Sequence, residues 1–187
     1  MKKNAVLAFR PNRIRPLLTG FLVMVLTIIS AQVSATDIQD EDLKAVYLFR
    51  FAMLIDWDSR PESDTRFRFC SDNENPVSQR LAEVVKQKSD QATFTLLDLS
   101  IQSDLRCDVV YTSSSDRDYV ADLRKRSNSA LLVGEGRRFI DAGGMVAFKR
   151  VNNRIKPLIH LGNIQGSAFR LRSQLLSIAV VIKGDRP

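Results

Sequence analysis

The chain has 187 residues, 44% of them apolar and 26% charged, with 28 basic and 21 acidic residues and a formal net charge of +7. Five of the basic residues, Lys2, Lys3, Arg10, Arg13 and Arg15, fall in the first fifteen positions, which leaves 23 basic against 21 acidic residues, about +2, for the rest. That near balance excludes the strong positive field of a nucleic-acid-binding domain, and the composition excludes a low-complexity chain.

The charged opening is followed by an uncharged run from Leu17 to Ser30. At about 14 residues it is too short for a membrane-spanning helix and fits the apolar core of a secretory signal. Val33 and Ala35 give the small-x-small spacing of a signal-peptidase site, so cleavage is expected after Ala35, with Ala31 as second choice. Residues 36–187 then form one domain, long enough to bury a core of its own.

The first predicted element of that domain is a helix running to Trp57. Asp40, Glu41 and Asp42 suit its positive end, and apolar residues follow almost without a break. Leu43, Val46, Tyr47, Arg50, Met53 and Leu54 define one face, while Phe49, Phe51, Ala52 and Ile55 make much of the remainder apolar. A strand is predicted at RFRFC, and Pro76 opens a helix through VSQRLAEVVKQK. ATFTLL and CDVVYT read as strands, DYVADLRKR as a helix, SALLV as a strand and GRRFIDAG as a short helix closed by Gly143. Strands alternating with helices imply a parallel sheet.

The C-terminal part reads differently. GMVAFKRV and RIKPLIHL flank Asn152 and Asn153, a pair that tolerates the positive φ angles of a tight hairpin. Pro157 cannot donate a ladder hydrogen bond, which places it at an edge or an irregularity. SQLLSIAVVI is predicted as a closing helix. The fold class is therefore α/β, a mixed, mainly parallel sheet with a C-terminal antiparallel hairpin and helices on both faces.

Together, KAVYLFRFAMLIDW, FRFC before a proline-started helix, CDVVYTS, GGMVAFKRVNNRIKPLIHL and LRSQLLSIA resemble the YfiR-like periplasmic proteins, a family described as DUF4154, over nearly the whole of residues 36–187. The chain departs from the family pattern at Pro157, where a larger apolar residue is usual, and at His160, where Asn is common. The resemblance implies a non-enzymatic periplasmic regulator, without cofactor. Its partner would be the periplasmic sensor domain of an inner-membrane diguanylate cyclase, whose output of cyclic di-GMP it restrains. Without the resemblance, the residues define a small secreted α/β domain.

Cys70 and Cys107 are the only cysteines. In an exported chain the first expectation is a disulfide, which would close a loop of some 37 residues. Neighbouring parallel strands in simple register would hold the two too far apart, so a stagger is required. Two buried thiols, or a bridge formed only under oxidising stress, are the alternatives. Gly134-Glu135-Gly136 lacks the third glycine of a dinucleotide fingerprint, since Phe139 stands there, and reads as a plain turn.

His160 is the sole histidine, so no histidine cluster for a metal exists, and no serine lies in a nucleophile-elbow context. Arg154, Lys156, Leu158 and His160 alternate onto one strand face, where a small anion could bind through Arg154, Lys156 and His160. This supports an alternative function, a periplasmic small-ligand-binding protein without a cyclase partner. On the first helix, Phe49 and Phe51 are expected on a face not needed by the core, with Trp57 at its end, forming a partner-binding surface or a homodimer contact. Export predicts a protein that begins at Thr36 and fractionates with the periplasm. Intact mass checks this, and recovery of the full-length chain from membranes would overturn it.

Overall fold

The structure, a computed structural model, describes residues 36–58, 65–100, 106–127 and 129–184. The signal segment expected over residues 1–35 lies outside the described residues. The first helix, α1, spans Thr36–Met53 and ends four residues before the predicted Trp57. Ile55–Trp57 instead forms a short strand, β1, because it has a partner in Phe169–Leu171, strand β8, in antiparallel register. Ile55 is thereby buried opposite Leu171, and Trp57 packs on Phe169 with ring centroids 5.2 Å apart.

The main sheet has seven strands. Phe67–Ser71 (β2), Ala92–Leu96 (β3), Val109–Tyr111 (β4), Leu131–Glu135 (β5) and Val146–Val151 (β6) are joined by parallel pairings in the order β3-β2-β4-β5-β6. Arg154–His160 (β7) pairs antiparallel with β6, and Val180–Ile182 (β9) pairs parallel with β7 at the edge. The mixed, mainly parallel sheet with an antiparallel hairpin is the predicted architecture. The hairpin turns at Asn152 and Asn153, whose φ angles of 49° and 57° are both positive, as a two-residue turn of this kind requires.

The helices between parallel strands start where their caps dictate. Pro76–Gln87 (α2) opens with Asn75, whose side chain accepts from the Ser78 N–H at 3.0 Å while the Ser78 hydroxyl accepts from the Asn75 N–H at 2.8 Å. Arg117–Arg126 (α3) is capped by Asp116, which accepts from the Tyr119 N–H at 2.9 Å. Gly136–Asp141 (α4) ends as predicted at Gly143, with φ +103°. Its Phe139 ring occupies the space that side chains would fill at Gly134 and Gly144, where an added Cβ would stand 2.6 and 2.1 Å from the ring. The glycines of the Gly134-Glu135-Gly136 turn thus serve packing at Gly134 and a positive φ at Gly136.

Two predictions for the C-terminal region need correction. SQLLSIAVVI is not one helix: Ser173–Ile178 forms α6 and the β-branched run that follows forms β9. Val180, Val181 and Ile182 fit an extended backbone, and β7 offers them an unpaired edge. Pro157 is accordingly not on a free edge strand. The His160 N–H donates to Met145 O at 3.0 Å, so by alternation the N–H that Pro157 lacks would point away from β6. β9 begins pairing only at Leu158, so the missing donor falls just beyond the end of that ladder.

Ladder parity assigns the layers. Phe69, Tyr111, Val133 and Phe148 share one face, and α1 lies on it: Phe49 stacks on Phe69 at 5.5 Å, and Phe51 on Phe148 at 6.0 Å. Gly134 and Ala147 lie on the opposite face, which receives α4 through Phe139. Phe49 is only 8% exposed and Phe51 fully buried, so truncating either is expected to cost about 3–5 kcal/mol. Leu43→Ala, on the exposed side of α1, should stay within about 0.5 kcal/mol of wild type. Urea denaturation of the three variants measures the contrast, and a Phe49→Ala cost as small as that of Leu43→Ala would contradict this packing.

Candidate functional site

Three ion pairs tie the N-terminal half of α1 to the sheet and to α2. Asp40 pairs with Arg150 of β6, Asp42 with Arg80 of α2, and Lys44 with Glu135 at the end of β5, the last at 3.0 Å. Glu135 also accepts from the Tyr111 hydroxyl at 2.8 Å. Burial, reinforced by that carboxylate, holds the Tyr111 phenol well above the ordinary tyrosine range, so it remains a donor. With its inner side so engaged, α1 exposes a ridge formed by Leu43 (39%), Val46 (40%) and Met53 (39%), with exposed Arg50 between them.

This placement corrects the expected partner surface. Phe49 and Phe51 belong to the core, because Ala45, Leu48, Phe49 and Ala52 are the residues that helical periodicity brings onto the sheet. Trp57 is half-buried, and its indole N–H donates to Ala52 O at 2.9 Å, fixing the ring at the C-terminal end of α1. The apolar stripe left outside is the one headed by Leu43. The helix is apolar nearly all round, so its periodicity alone does not say which side the sheet takes.

Strand order reverses between β2 and β4, the position at whose carboxyl end open α/β sheets commonly bind ligands. Here the two loops are joined by side chains. One Asp72 carboxylate oxygen accepts from the Thr112 and Tyr119 hydroxyls, and Asn73 donates to Ser113 at 3.2 Å. The other Asp72 oxygen is buried without a partner. Burial, then the hydrogen bond to Asp72, pushes the Tyr119 hydroxyl upward in pKa. No motif in the sequence marked this cluster, whose hydrogen-bonded partners lie 40 or more positions apart.

Cys70 and Cys107 form a disulfide with Cα atoms 6.0 Å apart. β2 and β4 are neighbours in the register that sets Cys70 opposite Val110. A bend at Asp108, rather than a stagger of the strands, brings Cys107 into reach. Asp108 holds that bend by accepting from the Arg68 N–H at 2.7 Å and from its guanidinium at 3.2 Å, while its own N–H donates to Arg68 O.

The basic strand face is divided. Arg154 and Lys156 are exposed near the hairpin turn, and Lys156 stands directly across from Lys149, an exposed residue the sequence reading did not include. Like charges so placed repel and favour an anion between them. Leu158 is buried and separates them from His160, which lies about 20 Å along the strand from Arg154. His160 caps the turn Leu161–Ile164 (α5), its Nδ1 accepting from the Asn163 N–H at 3.1 Å. Its ring lies against Gly162 and Gly184, where an added Cβ would approach Cε1 to 3.1 and 3.0 Å. Those glycines border an open groove of about 670 Å³ also lined by Ile164, Phe169, Arg170 and Lys183.

The molecule is thus an α/β domain with a doubly covered sheet, a disulfide tying β2 to the approach of β4, and polar features at its strand ends. It belongs to the YfiR/HmsC-like family, DUF4154, whose model matches residues 41–180, from the first turns of α1 to the start of β9. No curated protein matches the sequence.

The disulfide closes a 37-residue separation, which in the chain-entropy view is worth about 4 kcal/mol. Reduction, or Cys70→Ser with Cys107→Ser, is expected to lower the unfolding free energy by that order. Alkylation of unfolded, unreduced protein should label neither thiol, and two labelled thiols would show that no stable bridge forms.

Proposed function

We propose that the protein is a periplasmic negative regulator, released from a signal segment after Ala35, that binds the periplasmic sensor domain of an inner-membrane diguanylate cyclase and lowers cyclic di-GMP signalling. The observation that carries this reading is the family match over residues 41–180. YfiR-like proteins are generally regulators without an enzymatic activity of their own. A disulfide between the only two cysteines suits an oxidising compartment, and among the described residues no helix is long and apolar enough to cross a membrane.

Such a regulator works by differential affinity. Bound to the periplasmic part of the cyclase, it favours an inactive arrangement only as far as it prefers that arrangement over the active one. A nearly complete switch requires a preference of about 10⁴-fold, roughly 5.5 kcal/mol, which an ordinary protein interface can supply. A second reading, binding of a small anionic ligand, is favoured by Lys149 opposite Lys156 and by the groove beside His160 with Arg170 and Lys183.

Deleting the gene is expected to raise cyclic di-GMP and surface attachment only in cells that retain the cognate cyclase. Unchanged cyclic di-GMP would sink the regulator reading. A thermal-shift screen with nucleotides and amino acids addresses the second reading, since a ligand of the folded state raises apparent stability by mass action.

A further inference from the structure

We infer that the outer ridge of α1 docks an amphipathic helix of a different protein, one that carries a carboxylate among its apolar residues, and that it disfavours a second copy of this chain. Leu43, Val46, Arg50 and Met53 follow one another at intervals of three, four and three residues, the repeat that aligns side chains along one helical seam. The three apolar members are each about two-fifths exposed, and the seam runs about 15 Å, three turns of a partner helix. A cation near the C-terminal end of a helix is favourable with the helix dipole, but that does not account for apolar neighbours on both sides of it.

Charge selects the occupant. Among the described residues, the acidic side chains beside the ridge are already engaged within the chain: Asp40 with Arg150, Asp42 with Arg80, and Asp56 with Arg172. Glu41 stands one heptad before buried Leu48, on the sheet-facing side. Among the described residues no carboxylate is paired with Arg50. A second copy would bring another Arg50 and, among the described residues beside the ridge, no spare acid, so covering the ridge would desolvate two unpaired guanidinium groups. A helix with Asp or Glu opposite Arg50 covers the same apolar atoms and supplies the counter-charge. The inference is drawn from α1 alone and stands apart from the cyclase reading.

The test uses the chain as its own probe, in sedimentation velocity and native mass spectrometry. Wild type and Arg50→Glu are each expected to be monomeric. Their equimolar mixture should form a heterodimer at least tenfold tighter than either self-association, weakened by salt and abolished by Val46→Asp in either chain. Circular dichroism verifies that each variant is folded, with Arg50→Asp as the substitute should Arg50→Glu fail to fold. A mixture that associates no more than the separate chains overturns the inference, as does wild-type dimerisation that Val46→Asp removes. Neither result bears on whether deletion of the gene raises cyclic di-GMP.

Discussion

The seating of α1 on the sheet is the contact on which the rest of the molecule depends. Phe49 on Phe69 and Phe51 on Phe148 join the helix to strands at two separated places in the sheet, across β4 and β5. Aromatic stacking of this kind adds to a large burial of apolar area, so the helix orientation is set by packing rather than by helical propensity. The ion pairs of Asp40, Asp42 and Lys44 then fix its N-terminal half with three different elements. Most of these groups are partly exposed, so their contribution is modest beside that of the aromatic contacts. One consequence of the seating is functional. A helix buried along one side must present its other side, and that side carries Leu43, Val46 and Met53 to solvent.

The two ends of β2 are secured by different chemistry. Near its start, Asp108 clamps the Arg68 backbone and side chain and bends the chain so that Cys107 reaches Cys70. After its end, Asp72 gathers the hydroxyls of Thr112 and Tyr119 from the loop and helix that follow β4. The crevice at the strand-order reversal is therefore bridged by the protein's own hydrogen bonds. The open groove lies elsewhere, between α5, β8 and the segment after β9.

Much of the fold was legible in the sequence because local chemistry and tertiary demand agreed. Asn152-Asn153 tolerates the positive φ of its turn, Pro76 and Asn75 start α2, and Gly143 ends α4, each for reasons contained within a few residues. SQLLSIAVVI was misread because helix and strand propensities compete over its last residues, and only the open edge of β7 decides for β9. The missing N–H of Pro157 signals an edge or an irregularity, whereas the residue stands in unbroken register opposite Phe148, and its position just beyond the β9 ladder depends on a strand pairing that sequence does not contain.

The candidate sites divide in the same way. The sequence by itself determined which residues are apolar, which can carry charge, that two cysteines are available to pair, and, through its pattern, the family. Only the tertiary structure decided that Phe49 and Phe51 face inward, leaving Arg50 in the outer seam. It likewise separated His160 from Arg154 and Lys156, and added Lys149 across the hairpin. The physical reason is that periodicity gives the relative orientation of side chains along one element. Which orientation points to the core is set by the neighbours that pack against it, and for a helix apolar on several sides those neighbours are known only once the sheet has formed.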